Sequence, residues 1–354
     1  MQTILNKKIG IDPTKQPLFL GEDLSLQRYD KFRYPELFEL FDKQLQMFWR
    51  PEEIELTKDR ADFQTLSDHE KFIFTSNLKY QTMMDSVIAR GISTITEYTS
   101  NLEFEAASKV WQMFEVLHSY AYTYIIKNVY SDPDIIFNEV LQDEEIMKRA
   151  DTVAKDYDLL KHCNEKDIKS QIYLTLISVN ILEAIRFYVS FACSFAFAEN
   201  KKMMGNADII KLIQRDENLH LQITQNVLRA LKENESEGFQ ETIKANEEKA
   251  VAMFVEAVNE EKAWAKHLFK DGAILGLNEE LLSQYIEYLA RVRMKALDLP
   301  VPEHFAQKNP LGWIRSWTNS NEVQVAPQEH EITSYKKNSV TNDVASMEFA
   351  GLEL

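Results

Sequence analysis

A chain of 354 residues with 45% apolar side chains is long enough to bury a large core, and nine glycines with nine prolines are too few for a turn-rich sheet protein. A formal net charge of -16 would be repelled by nucleic acid and by anionic membrane surfaces, so neither is an expected partner. The two cysteines, Cys163 and Cys193, lie too far apart for a disulfide framework or a zinc cluster, and the polar start of the chain lacks an apolar signal core, which makes the cytoplasm the expected location.

Residues 1–30 read as irregular, punctuated by Pro13, Pro17 and Gly21. A helix is predicted from Pro35 to Trp49 and ends at Arg50-Pro51; Glu52 and Glu53 suit the first turn of the segment that follows. Ser67-Asp-His-Glu70 has capping-box spacing and opens a long helix that runs through Asp85 to a predicted stop near Gly91. The next helix begins near Asn101, carries Trp111, Glu115, His118 and Tyr122, and ends at Ser131-Asp-Pro133; another fills Pro133 to about Leu160. After a polar break at 162–165 comes the most apolar stretch of the chain. Between Ile172 and Ala198 only Glu183 and Arg186 carry formal charge. Its length would allow a membrane crossing, but no basic flank orients it, and a helix apolar all round equally describes the centre of a large bundle. Asn200–Asn206 turn the chain into a helix from Ala207 to Lys232, and helices over 238–270 and 278–297 close the folded body. Beyond Trp317 the composition becomes polar and loses helical period. We therefore expect an all-α domain over residues 1–320 and a flexible tail over 321–354 whose apolar tip, Met347 to Leu354, suits docking.

The chemistry is concentrated in two repeated patterns. Of seven histidines only His118 and His220 follow a glutamate by three residues, and both lie in strong helical segments. One such pair is ordinarily a surface contact or a satisfied core histidine. Two are more informative, because each is preceded at nearly the same distance by a helix bearing a lone acid in apolar surroundings, Asp85 before Glu115 and Glu183 before Glu217. Four carboxylates and two imidazoles projecting into a four-helix bundle are the donor set of a ferritin-like dinuclear site, and so oxygen-rich a set suits iron or manganese better than structural zinc. Helical phase places Tyr122 on the ligand stripe, ~20° from Glu115 and ~40° from His118, while Tyr120 and Tyr124 point elsewhere. Trp111, one turn before Glu115, can donate its indole N–H to that carboxylate, and Asp216, one turn before His220, can orient an imidazole or pair with Arg215. Phe187, Phe191 and Ile213 read as core that could also wall a dry pocket around Tyr122.

The runs Phe48-Trp-Arg-Pro-Glu-Glu53, Asn77-Leu-Lys-Tyr-Gln81, Leu182 through Ala192, Arg215-Asp-Glu217 and Gln324-Val-Ala-Pro-Gln-Glu329 carry a resemblance to the radical-generating small subunit of class Ia ribonucleotide reductase, over about residues 17–335. The resemblance implies that Asp85, Glu115, His118, Glu183, Glu217 and His220 hold two iron ions, oxo-bridged when oxidised, with manganese as the alternative metal and Glu115 and Glu217 as bridges. It makes Tyr122 the tyrosine oxidised to a stable radical when oxygen meets the reduced metals. Trp49 and Asp216 then link the centre to the surface, and Glu329 and Tyr335 continue the route along the tail. It further implies a homodimer that works with a large subunit bound through the C-terminal tail. No phosphate-binding Gly-x-x-x-x-Gly-Lys loop or Gly-x-Gly-x-x-Gly turn occurs, consistent with ribonucleotide reduction being performed by cysteines of that large subunit. A di-iron desaturase or monooxygenase shares the six-ligand plan but needs neither Tyr122 nor a tyrosine-bearing tail, and ferritin-type storage suits a shorter, cage-forming chain.

Overall fold

The capping box read at Ser67 is formed: Glu70 accepts from the Ser67 backbone N–H at 2.8 Å and starts a helix of nearly thirty residues. In the computed structural model, which describes residues 6–318, the α-helices are α1 (Pro35–Gln46), α2 (Thr57–Thr65), α3 (Asp68–Thr96), α4 (Leu102–Val129), α5 (Pro133–Val140), α6 (Glu144–Lys161), α7 (Ile168–Ile181), α8 (Phe187–Glu199), α9 (Met204–Glu233), α10 (Gln240–Leu268), α11 (Glu279–Ala296) and α12 (Arg315–Thr318). Among the described residues extended pairing is confined to two isolated bridges, Phe19 with Thr99 and Ile274 with Leu277. Glu329, Tyr335, the apolar tip and the division at 320/321 lie outside the described residues.

Four helical runs make the central bundle: α3 packs on α4, α8 on α9, α3 on α8 and α4 on α9. The remaining helices sheathe it, α1 against α4 and α9, α6 against α3 and α7, and α10 with α11 against the α7–α8 side. The apolar stretch is the centre of this body. From Ile168 to Glu199 it is long and apolar enough to cross a membrane, yet its apolar window is wholly buried. At ~1.5–3 kcal/mol for each fully buried large apolar side chain, packing accounts for its composition.

Three departures from the sequence reading bear on the centre. First, α3 does not stop at Gly91 but continues to Thr96. A Cβ on Gly91 would come within 2.4 Å of the Tyr157 ring, so the glycine answers a close approach by α6 rather than a helix end. Second, the helix predicted over 133–160 is two, because Asp143 accepts from the backbone N–H groups of Glu145 and Ile146 and caps a new start. Third, α7 and α8 are joined by a π-helical turn, Leu182–Arg186, which contains Glu183. The start of α9 is held from outside: Asp59 of α2 accepts from the N–H groups of Gly205 and Asn206 at 3.0 and 2.7 Å, satisfying donors that a helix start leaves free.

Candidate metal centre

Asp85 from α3, Glu115 and His118 from α4, Glu183 from the π turn, and Glu217 and His220 from α9 meet in the middle of the bundle, each fully buried. They form two groups, Asp85, Glu115, His118 and Glu217 in one and Glu115, Glu183, Glu217 and His220 in the other, with candidate ligand atoms within 4.8 Å of one another in each. Glu115 and Glu217 belong to both. His118 Nδ1 lies 3.2 Å from Glu217 and 3.5 Å from Glu115, and His220 Nδ1 lies 2.7 Å from Glu217 and 2.9 Å from Glu115.

The site is rich in acceptors and short of donors. Both oxygens of Asp85 and of Glu183, one oxygen each of Glu115 and Glu217, and Nδ1 of His118 are buried with no hydrogen-bond partner. Leaving such groups unmatched costs ~1–3 kcal/mol apiece, and more for charged ones. Burial, then the neighbouring Glu115 charge, raises the Asp85 carboxyl well above its ordinary range; burial, then the Glu217 and Glu115 charges, does the same to Glu183. Burial would lower the His118 and His220 pKa values, but nearby carboxylates, led by Glu217 for His118 and Glu115 for His220, win and raise both. Glu217 goes the other way: burial alone would raise it, but His118 and His220 pull it down. Four carboxylates sharing two imidazoles are the electrostatics of a cavity made for cations, and the donor set fits a dinuclear centre of hard or borderline metals.

The neighbours sort as the sequence suggested, with one change. Trp111 Nε1 donates to Glu115 at 2.7 Å, so it is both core and ligand support. Asp216 orients an imidazole, but across the bundle rather than along its own helix. Its Oδ2 lies 3.2 Å from His118 Nε2 and accepts from Trp49 Nε1 at 2.7 Å, while Oδ1 accepts from Arg215 at 3.2 and 3.3 Å. Trp49, Asp216 and His118 thus form one hydrogen-bonded file, and Phe48, next to Trp49, is 47% exposed.

Tyr122 is fully buried, and its hydroxyl makes no hydrogen bond of good geometry although Asp85 stands close enough to act on it. Burial, followed by the Asp85 charge, holds its pKa well above the usual value, so the phenol is neutral. Tyr120 and Tyr124 turn outward as helical phase requires, Tyr120 bonding Glu52 and Tyr124 the Ile54 carbonyl at 3.0 Å. Phe187, Phe191 and Ile213 are fully buried, the two rings stacked with centroids 6.0 Å apart.

Sequence reasoning missed the anchor of the π turn. Arg186, at its end, donates to Glu260 and Glu261 of α10 at 2.5 and 2.7 Å, and Tyr80 of α3 donates to the same Glu261 oxygen at 2.8 Å. The only sequence signal was the pairing of Glu183 with a lone cation in an apolar run; its partners lie far along the chain.

Comparison with known proteins adds an independent line. The family described as "Ribonucleotide reductase, small chain" matches residues 27–310. A ribonucleoside-diphosphate reductase subunit beta of Buchnera aphidicola is 42% identical over 375 residues, covering 99% of both chains. Among solved structures, the ribonucleotide reductase R2 subunit from Clostridium botulinum superposes with a TM-score of 0.81 at 28% identity, covering 90% of this chain and 98% of that one. The dimanganese(II)-NrdF of Streptococcus sanguinis, at 20% identity, 83% and 99% coverage and a TM-score of 0.70, shares the fold.

Proposed function

Since the chain belongs to the ribonucleotide reductase small-chain family and is the beta subunit of a ribonucleoside-diphosphate reductase that acts with a large subunit, we propose that its buried centre would hold two iron ions, whose reaction with oxygen would supply the oxidising power for a stable radical on Tyr122. The desaturase, monooxygenase and storage readings give way to that membership. The observation that carries the proposal is the sharing of Glu115 and Glu217 between two ligand groups, with the buried Tyr122 hydroxyl beside Asp85. Asp85, Glu115 and His118 would hold one ion and Glu183, Glu217 and His220 the other, with Glu115 and Glu217 within reach of both. When bound, the ions supply the oxidising power drawn from oxygen; manganese is the alternative that this donor set also accepts.

With the ions bound, Tyr122 would give up one electron toward them and its hydroxyl proton on the side where Asp85 stands. Full burial keeps water and reductants from the oxidised ring. The file His118–Asp216–Trp49 offers the return path: Asp216 keeps His118 oriented and accepts the Trp49 N–H, so the indole ends one residue from the surface. Beyond it Glu329 and Tyr335 would continue the route, and the tail, residues 321–354, would dock the large subunit, where ribonucleotides are reduced. A homodimer is supported by the outer face of α4, on which Met113, Val116 and Tyr120 are 41%, 59% and 44% exposed, an apolar stripe suited to a second copy. A cytoplasmic location completes the reading.

Anaerobic loading with Fe(II), then oxygen, then an EPR spectrum tests this directly. Two irons per chain and a tyrosyl signal are expected, with the signal lost and both irons kept in Tyr122→Phe. A signal surviving in that variant would transfer the role to another tyrosine.

A further inference from the structure

The protein is strongly acidic, yet one groove on its surface is basic. Arg291 and Lys295, one turn apart on α11, face Lys308 and Arg315 across it, and no Asp or Glu lines it. Glu287, the nearest acid along α11, is turned away and engaged by Lys262 and the Ala306 N–H. Lys295, Lys308 and Arg315 are exposed, and among the described residues none of the four cations is in an ion pair. Four like charges held together repel one another, at a cost that an anionic occupant would relieve.

The chain itself continues from the rim of this groove. Arg315 opens α12, which ends at Thr318, and Thr318 is buried with its carbonyl accepting from Gln214 at 3.4 Å. Trp317 stacks on Phe195 and donates to Glu199, so the point of departure is fixed. From Asn319 to Tyr335 the sequence carries Glu322, Glu329 and Glu331 and neither Lys nor Arg; the first cations are Lys336 and Lys337. Glu322 can extend at most ~14 Å beyond Thr318 at ~3.6 Å per residue, and the later glutamates farther.

We propose that the groove lined by Arg291, Lys295, Lys308 and Arg315 is a docking site for residues 319–335 of the same chain, held by their glutamates. Each contact is an exposed ion pair, individually weak and screened by salt, so docking is reversible and loosens as ionic strength rises. The segment is the one that bears Glu329 and Tyr335, and the groove would park it against the body while no large subunit is present. The inference depends on charge and chain geometry, not on the metal chemistry or on the radical.

The full-length subunit, without the large subunit, is treated with a zero-length carbodiimide and its cross-links are mapped by mass spectrometry, using dimers reassembled from isotopically light and heavy chains that were dissociated and refolded together. Links from Lys295 or Lys308 to Glu322, Glu329 or Glu331, of uniform isotope and suppressed by 0.5 M salt, are expected. Absence of such links, links only of mixed isotope, or links indifferent to salt would each overturn the proposal, the second by assigning the groove to another copy. In parallel, chymotrypsin cleavage at Tyr335 should be about fivefold faster in Lys295→Glu/Lys308→Glu than in the parent, as expected for loss of a few exposed pairs. Both lysines are solvent-exposed, so the variant should keep its helical circular dichroism, and an unchanged cleavage rate would count against docking.

Discussion

The two halves of the proposed centre each offer two carboxylates and one imidazole and have different surroundings. Around Asp85, Glu115 and His118 stand a buried phenol and a hydrogen-bonded file: Tyr122 lies beside Asp85, and His118 Nε2 continues through Asp216 to Trp49. Around Glu183, Glu217 and His220 stand walls. His220 stacks on Trp111 at 5.0 Å, its Nε2 has no partner, and Glu183 rides on a turn locked by Arg186 to α10. A duplicated Glu-x-x-His pattern has therefore not produced duplicated surroundings. What separates the halves is the far side of each histidine: one imidazole is tied to a carboxylate and the other ends in the core.

The difference can be broken at the bridges. Glu217→Ala removes a carboxylate belonging to both ligand groups, and it should abolish dinuclear metal binding while leaving the helical circular dichroism intact. Retention of two equivalents by metal analysis would refute the shared-ligand arrangement. The two tryptophans sharpen the contrast. Trp49→Phe should keep both metals and the radical signal yet stop turnover with the large subunit, because the indole and its bond to Asp216 are lost. Trp111→Phe removes the N–H that supports Glu115 and trims the ring that His220 stacks on, and should lower metal affinity by ~10–100-fold while turnover of fully loaded protein persists. If the two variants behaved alike, the distinction between wired and walled halves would fail.

On the walled side the effect is on stability. Arg186→Met leaves Glu261, fully buried, without its closest cation, and should cost ~3–5 kcal/mol, read as a lowered midpoint in chemical denaturation. Smaller still is Gly91→Ala, which drives a methyl into the Tyr157 ring and should cost ~1–3 kcal/mol with metal stoichiometry unchanged. A neutral result would mean that α6 can retreat from α3.

What could be read from the sequence, and what could not, follows the range of the interaction. The buried cluster was legible because Glu115 with His118 and Glu217 with His220 are local pairs whose common direction is fixed by helical phase, and Tyr122 was placed by the same arithmetic. Trp111 was legible for the same reason. The turn chemistry was present but underused at Asp143, whose acid-rich successor residues announce a helix start. Gly91 was misread because glycine has one sequence signature for two causes, a left-handed helix end and a close approach, and only the position of Tyr157 tells them apart. Asp216 was seen as an orienting group, but its target sits on another helix, and no spacing within α9 could reveal that it faces His118. The clamp of Arg186 on Glu260 and Glu261 is longer in range still, joining segments that meet only after the bundle has assembled.

The π turn at Leu182–Arg186 has a consequence for how this chain can vary. A π turn fits one residue more than an α-helix of the same rise, and so it acts as an insertion retained in place. Deleting one residue between 182 and 186 would let the helix close into regular α geometry with α7 and α8 near their present phase, so the change would fall on the turn itself, where Glu183 sits. Phe187 and Phe191 could keep their present faces, whereas Glu183 would lose the widened turn that carries it. Substitutions along α8 are thus open to the gradual exchange of one apolar side chain for another, whereas a change in length at the turn falls on Glu183, and relatives that place this carboxylate as it stands here should keep the extra residue with it.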